Sequence, residues 1–172
     1  MTQKTYNILF LCSANSARSL MAEAIMQREG LGKFKAFSAG SNPATAPNDN
    51  AMALLERNNY DISQFRSKSW DEFGKEDAPL MDFVITVCDK AKGETCPIWP
   101  GQPMSAHWGV PDPVSFEGNE AHTGVIFAKT FAQLRNRITI FANLPIESLD
   151  ALALQKEMDA IGEIQDSEDE DG

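Results

Sequence analysis

The amino-acid sequence predicts one α/β domain built around a parallel β-sheet with helices on both faces. The chain has 172 residues, of which 42% are hydrophobic, so it is long enough to bury one sizeable core. Short apolar runs of strand length alternate with longer runs of helical periodicity, and no internal repeat is present. Strands that alternate with helices form parallel sheets through right-handed crossovers, which predicts this fold class.

The first strand and the first helix flank a short polar loop. Apolar residues predict a buried strand over residues 7–11, and a helix follows over residues 18–29, where two glycines stop it. Between them lie Cys12 and a run of small or polar residues that ends at Arg18. Strand, loop and helix N-terminus in this order direct successive backbone N–H groups toward one point, and the helix dipole attracts negative charge. The sequence therefore predicts an anion-binding loop.

Cys12 and Arg18 give this loop the groups of a nucleophilic site. We expect the loop N–H groups and Arg18 to lower the pKa of Cys12, because both favour the thiolate. The guanidinium of Arg18 offers a planar fork for a tetrahedral oxyanion, and the Ser19 hydroxyl can donate to the thiolate. A cysteine after a strand is more often a small buried hydrophobic residue, so only the surrounding loop favours catalysis. The expected oxyanion ligands are Ser13, Ala14, Asn15, Ser16, Ala17, Arg18 and Ser19.

The next elements follow from the same periodicities and from local capping signals. Polar, glycine and proline residues separate them at short intervals. We expect a strand over residues 33–38 that turns at Gly40, a helix over residues 47–58 opened by Pro47, a short helix over residues 70–74 capped by Ser69, and a strand over residues 82–87 that ends at Cys88.

The second half of the chain begins with an irregular segment. Residues 89–113 contain five prolines and leave room for one short strand at residues 106–108; a long ordered loop in a compact domain is usually functional. A long helix is expected over residues 120–141. A last helix over residues 146–164 carries an apolar stripe that packs on the core or serves an interface. We expect a domain over residues 1–145, an additional C-terminal helix over 146–165 and a disordered acidic tail over 166–172.

Charge and cysteine content narrow the class of protein. The chain has 15 basic and 25 acidic residues and a formal charge of −10, which argues against a nucleic-acid partner. Three cysteines cannot form a closed disulfide framework, so they indicate a reducing compartment and redox or catalytic use. No segment is long enough to span a membrane. We therefore expect a cytoplasmic protein without a membrane or nucleic-acid partner.

The loop sequence CSANSARS, followed by LMAEAI, resembles the phosphate-binding loop (P-loop) of the low-molecular-weight protein tyrosine phosphatase family, which also contains a branch of arsenate reductases. The turn SAG at residues 38–40 and the pair Asp112-Pro113 are similar as well. The resemblance covers about residues 6–141 and implies a phosphotyrosine phosphatase I-like, flavodoxin-like sheet of order 2-1-3-4. In that order the first and third strands are neighbours, so Cys12 and Cys88 are expected within reach of a disulfide.

Resemblance to the arsenate reductase branch implies a relay of Cys12, Cys88 and Cys96. The first thiolate attacks arsenate, the second attacks the first sulfur and expels arsenite, and the third forms a redox-active disulfide with the second. Thioredoxin, glutaredoxin or a small thiol then reduces that disulfide, in the service of arsenical resistance. The segments CPIWP and HWG, which begin at Cys96 and His107, are also similar to this branch. Cys88 and Cys96 as inert buried thiols, or as zinc ligands with His107, are the alternatives.

Asp112 is the second catalytic candidate. In the phosphatases of this family the aspartate at this position is the general acid, and aromatic residues after the Asp-Pro pair hold a phosphotyrosine ring. Here Val114 and Ser115 follow, which favours arsenate reduction over tyrosine phosphatase activity. The alternatives are a phosphotyrosine phosphatase or other phosphomonoesterase that uses Cys12, Arg18 and Asp112, an oxyanion-binding or redox-sensing module without turnover, and a merely structural turn at Asp112.

Two departures from the family limit the resemblance. Ala17 stands where thioredoxin-coupled relatives often have a further cysteine, which leaves one nucleophile in the loop. Some relatives bind potassium beside the loop, and Asn15, Glu23 and Ser38 match their ligands. Lys68, however, occupies the position that should be acidic, and its ammonium group is expected in the place of the cation. We therefore predict no metal and no bound cofactor, and an arsenate- or phosphate-like oxyanion as the ligand.

Overall fold

A computed structural model describes residues 4–88, 99 and 101–164 of the chain. Its centre is a four-stranded sheet in which every neighbouring pair of strands is parallel. The strands are β1 (Tyr6–Cys12), β2 (Phe34–Gly40), β3 (Phe83–Thr86) and β4 (Met104–His107), in the order β2-β1-β3-β4. This arrangement confirms the predicted fold class and strand order.

Four α-helices and three short 3-10 helices complete the described part of the chain. The α-helices are α1 (Arg18–Glu29), α2 (Asp49–Arg57), α3 (Glu120–Ala142) and α4 (Ala151–Gly162). The 3-10 helices cover Ile62–Gln64, Trp70–Phe73 and Ile146–Ser148. Within the described ranges, no helix combines the length and the apolar character needed to cross a membrane.

Capping side chains explain where two helices differ from the prediction. Helix α2 begins at Asp49 and not at Pro47, because the side chain of Asn48 accepts hydrogen bonds from the first free N–H groups. The single helix predicted over residues 146–164 is divided into a 3-10 turn and α4, since Asp150 caps α4 by accepting from Ala153 N–H. The apolar stripe runs through both parts and therefore did not reveal the break. Strand β4 also begins earlier than predicted, at Met104.

Alternating residues of β1 face two separate clusters of buried side chains. Ile8 and Phe10 belong to a large cluster that includes buried residues from all four α-helices. Leu9 and Leu11 face the opposite side, where a smaller cluster contains Trp70 of a 3-10 helix. Both faces of the sheet are thus covered by helical segments, as the fold class requires.

The carboxyl ends of β1 and β3 define one edge of the sheet. Leu11 of β1 is paired with Thr86 of β3, and Cys12 is the last residue of β1. Cys88 follows β3 by two residues. Ligands of open parallel sheets bind beyond this edge, at the point where the strand order changes direction.

Candidate active site

Residues 13–17 form the loop between β1 and α1, and a neighbouring segment holds it from behind. The N–H groups of Asn42, Ala44 and Asn48 donate to the carbonyl oxygens of Ser13, Ala14 and Ser16 at 2.8, 2.9 and 2.8 Å. Among the residues that the structure describes, the N–H groups of residues 14–17 donate to no protein acceptor. Polar N–H groups that converge in this way bind an anion. This loop, which we name the cradle, therefore leaves four consecutive N–H groups available, as the predicted anion-binding site requires.

Gly40 allows this close support. A Cβ atom added to Gly40 would overlap the carbonyl oxygen of Ser13 and lie 2.8 Å from that of Cys12. Glycine is required here because the loop backbone rests directly on the end of β2. The SAG turn noticed in the sequence thus has a physical cause.

Helix α1 presents its open N-terminus and its first side chain to the cradle. Its N-cap residue, Ala17, offers no side-chain acceptor, so the first N–H groups of the helix are available to a ligand. Arg18 donates through Nη1 to the carbonyl oxygen of Val110 at 2.9 Å, and its Nη2 lies 3.7 Å from Oδ1 of Asp112. Loop, guanidinium and carboxyl surround a cavity of about 210 Å³ that Val114 also lines.

Cys12 lines this cavity, and its thiol contacts that of Cys88. Both are buried thiols, and the Cys88 sulfur is also 4.0 Å from Oγ of Ser13. The hydrogen bond with Cys88, followed by burial, raises the pKa of Cys12, while Arg18 and the N–H of Ser13 act in the opposite direction. The sequence-based expectation of a lowered pKa was wrong because it did not count the second thiol.

The remaining cysteine and histidine predictions concern Cys96 and His107. Cys96, the third member of the expected relay, lies outside the described residues. The ring of His107 shares a hydrogen bond of 2.7 Å with Thr86 Oγ1. Within the described ranges there is no group of three or more histidine, cysteine or acidic residues that could hold a metal ion.

A buried polar cluster supports the cradle on the side away from the cavity. The ammonium group of Lys68 donates to the carbonyl oxygens of Ser38 and Arg66, each at 2.9 Å, and to Asn15 Oδ1 at 3.3 Å. It lies 4.0 Å from a carboxylate oxygen of Glu23. The ammonium group thus lies among Asn15, Ser38 and Glu23, where the sequence predicts it.

Asn15 links this cluster to the loop. Its φ angle of 49° lies in the left-handed region, and its Nδ2 donates to Ser19 Oγ at 2.7 Å and to Ser38 Oγ at 3.0 Å. The backbone N–H of Lys68 donates to Asn15 Oδ1 at 2.9 Å. These hydrogen bonds stabilise a conformation that a residue other than glycine rarely adopts.

Burial opposes charge on both members of the Glu23–Lys68 pair. It raises the pKa of Glu23, against lowering by a hydrogen bond from Ser38 and by the charge of Lys68. It also lowers the pKa of Lys68, against the opposite effect of Glu23. The pair is a structural one, because it lies behind the loop and does not line the cavity.

The structure brings together most of the residues singled out in the sequence. Cys12, Arg18 and Asp112 line one cavity with the loop, and Cys88 contacts Cys12. Asn15 and Ser19 are buried behind the loop, so their side chains support it and do not enter the cavity. Sequence reasoning missed the carbonyl of Val110 and the donors at residues 42–48. No side-chain signal could have revealed them, because backbone groups make these contacts.

The chain is similar to a family described as low molecular weight phosphotyrosine protein phosphatase, which matches residues 7–157. It is 33% identical over 135 residues to an arsenate reductase of Oceanobacillus iheyensis, with 78% of this chain and 94% of that protein covered. It is 34% identical over 142 residues to an arsenate reductase of Bacillus licheniformis, with 83% and 97% covered.

Solved structures give the same picture. An arsenate reductase in the phosphate binding state has a TM-score of 0.62 and 26% identity, with 80% of this chain and 97% of that chain covered. A low molecular weight protein tyrosine phosphatase from T. tengcongensis has a TM-score of 0.61 and 26% identity, with 78% and 95% covered. A thioredoxin-dependent arsenate reductase of Corynebacterium glutamicum, 22% identical, shares the fold with a TM-score of 0.55 over 79% of this chain and 61% of that chain.

Proposed function

Because this chain belongs to the low molecular weight phosphotyrosine protein phosphatase family, we propose that it is an enzyme that reduces arsenate to arsenite. The contact between the Cys12 and Cys88 thiols at an anion cradle carries this proposal. A phosphatase needs one nucleophilic thiol, whereas reduction of arsenic requires a second thiol within reach of the first. The relatives named arsenate reductase support the same conclusion.

In the first step the cradle holds arsenate while Cys12 attacks it. The N–H groups of residues 14–17 and the guanidinium of Arg18 bind the arsenate oxygens. The thiol proton of Cys12 passes to an arsenate oxygen, the sulfur forms a bond to arsenic, and one As–OH group takes up a further proton and leaves as water. We assign the donation of a proton to Asp112, which lies beside Arg18 at the cavity.

In the second step Cys88 completes the reduction. Its thiolate attacks the Cys12 sulfur and forms a Cys12–Cys88 disulfide. The electron pair of the sulfur–arsenic bond stays on arsenic, which changes from As(V) to As(III) and leaves as arsenite. The two buried thiols already touch, so this step needs little movement of β1 or β3.

Regeneration completes the cycle. Cys96 attacks Cys88, Cys12 becomes a thiol again, and an external dithiol of the thioredoxin or glutaredoxin type, or a small thiol, reduces the Cys88–Cys96 disulfide. No resident metal or cofactor takes part in this scheme. The relay requires a reducing compartment, so we propose the cytoplasm as its location. Residues 1–145 would carry the chemistry, with residues 146–165 as an addition; the acidic tail predicted for residues 166–172 lies outside the described residues.

Cysteine variants test the proposal against phosphatase activity. Cys12→Ser is expected to abolish both arsenate reduction and hydrolysis of p-nitrophenyl phosphate, because a serine hydroxyl ionises far less readily than a thiol and is a weaker nucleophile. Cys88→Ser and Cys96→Ser are expected to block multiple turnover of arsenate and to spare phosphoester hydrolysis. Arsenite is measured with thioredoxin, glutaredoxin and glutathione supplied in turn as reductants. Normal arsenate turnover by the Cys88 and Cys96 variants would exclude the relay.

A further inference from the structure

Helix α4 packs against the carboxyl end of β4, where it contacts the buried side chain of Trp108. Trp108 follows β4 directly and is fully buried. Its backbone N–H donates to the carbonyl oxygen of Thr86 at 2.8 Å, and its indole Nε1 donates to the carbonyl oxygen of Met158 in α4 at 2.9 Å. This one residue therefore joins the end of β3 to the C-terminal helix.

The last turn of α4 is shaped to make this contact. A Cβ atom added to Gly162 would overlap the carbonyl oxygen of His107 and lie 3.2 Å from Cδ1 of Trp108. Met158 and Gly162 are four positions apart and so lie on the same face of the helix. Both follow residue 157, the last residue matched by the family. The close packing is thus made by a part of the chain beyond the family match.

From Trp108 the chain reaches the guanidinium of Arg18 within two residues. The N–H of Val110 donates to the carbonyl oxygen of Val87 at 3.2 Å, and the Val110 carbonyl accepts from Arg18 Nη1 at 2.9 Å. Pro111 follows, which has no N–H and a restricted φ, and then Asp112, whose Oδ1 lies 3.7 Å from Arg18 Nη2. A shift of Trp108 would therefore move both groups that face Arg18.

We propose that α4 positions the oxyanion clamp, which consists of the Arg18 guanidinium and the Val110 carbonyl and Asp112 carboxyl that face it. The indole of Trp108, held by Met158, fixes the segment that orients Arg18 and Asp112. Trp108 is a positioning residue, since it does not line the loop cavity. The importance of this role for catalysis rests on the proposed function. The role itself concerns oxyanion binding, which is measured separately from arsenate reduction.

The first test removes the indole N–H and keeps an aromatic ring. In Trp108→Phe the dissociation constant of inorganic phosphate is expected to rise about fivefold, which is the size of effect expected from the loss of roughly one hydrogen bond. KM for arsenate should rise by a similar factor, while kcat changes less than about twofold when thiol exchange limits turnover, because that step uses neither Arg18 nor Asp112. Phosphate binding is followed by chemical-shift titration of the backbone amides, well below the melting temperature.

A matched control lies on the same helix. Gln155 donates through Nε2 to the carbonyl oxygen of Ser105 at 2.9 Å, so it also joins α4 to β4. It has no connection to Val110 or Arg18. Gln155→Ala is therefore expected to leave the phosphate dissociation constant unchanged. An equal rise in this variant would assign the effect to general loosening of α4 and would overturn the inference.

A thermodynamic cycle with Arg18 separates positioning from structural support. In an Arg18→Ala background, Trp108→Phe is expected to have no further effect on the phosphate dissociation constant, because the clamp that it orients is gone. The same fold-change in both backgrounds would overturn the inference, as would an unchanged dissociation constant in the single variant.

A second variant covers the case in which Trp108→Phe does not fold. Gly162→Ala keeps the indole but displaces the last turn of α4 and with it the Met158 carbonyl that holds Trp108, so it is expected to weaken phosphate binding to a similar extent. An unchanged dissociation constant in Gly162→Ala would overturn the inference. A wild-type protein that binds phosphate but releases no arsenite would end the proposed function, while the phosphate titrations would still decide the role of Trp108.

Discussion

The two sides of the anion cradle are built differently. The rear support, which consists of Gly40, residues 42–48 and Lys68, is joined to the loop by close backbone contact and several short hydrogen bonds. The front groups are Cys88, which contacts Cys12 and Ser13, and Val110 and Asp112, which each contact Arg18; the side chain of Asp112 is 42% exposed. The rear support therefore fixes the shape of the cradle, and the front groups keep the freedom to exchange protons and bonds.

The largest effect is expected from a substitution that disrupts the rear support of the cradle. Gly40→Ala would force a methyl group against the carbonyl oxygens of Ser13 and Cys12, and we expect it to lower the free energy of unfolding by about 3 kcal/mol and to abolish phosphate binding. Urea denaturation with and without phosphate measures both. Gly124→Ala is the control, because nothing lies within 4 Å of an added Cβ there and alanine favours the helix. Equal stability of the two variants would contradict close packing behind the loop.

Removal of the Arg18 guanidinium tests the front side of the cradle. Arg18→Ala is expected to weaken phosphate and sulfate binding about a hundredfold, because charge-assisted bidentate contacts are lost, with little change in stability without ligand. The measurement is the rise in melting temperature with phosphate, sulfate or chloride at matched ionic strength. Arg66→Ala is the control, since Arg66 forms an exposed ion pair with Glu72. A rise that persists in Arg18→Ala, or an equal rise with chloride, would argue against an oxyanion site in this loop.

Loss of the ammonium group weakens the rear support without a steric clash. Lys68→Met is expected to lower the free energy of unfolding by about 2 kcal/mol, because Asn15, Ser38 and Glu23 lose their shared cation. Adding Glu23→Gln should restore part of this stability, since the buried carboxylate no longer lacks a partner. Chemical denaturation of the two single variants and the double variant gives the coupling energy. Strict additivity would mean that the two side chains do not interact.

The smallest effect concerns pH. Burial raises the pKa of Glu23 above its ordinary value of 4.5, so between that value and the raised pKa the folded protein binds more protons than the unfolded chain. The free energy of unfolding contributed by Glu23 therefore falls as the pH rises through this window. Glu23→Gln removes this decrease. As the pH rises through the window, the free energy of unfolding of the wild type should therefore fall relative to that of the variant. Parallel curves would contradict the raised pKa.

The sequence by itself determined the local part of the site. Helix α1 has the predicted bounds of residues 18–29, and the strand, loop and helix that form the cradle are contiguous. An anion cradle made of consecutive N–H groups needs only a short stretch of chain, so its pattern is visible in the residues themselves. Strand order and the place of Lys68 beside Asn15 also followed once the family resemblance had been recognised.

Only the tertiary structure decided how distant backbone groups and thiols meet the cradle. The raised pKa of Cys12 depends on Cys88, which a neighbouring strand delivers. The hydrogen bonds from Arg18 to Val110 and from Trp108 to Met158 are accepted by main-chain carbonyls, which every residue possesses and no motif distinguishes. The local pattern of side chains determines whether a segment forms a strand, a loop or a helix. The contacts between segments depend on how the whole sheet and its helices pack.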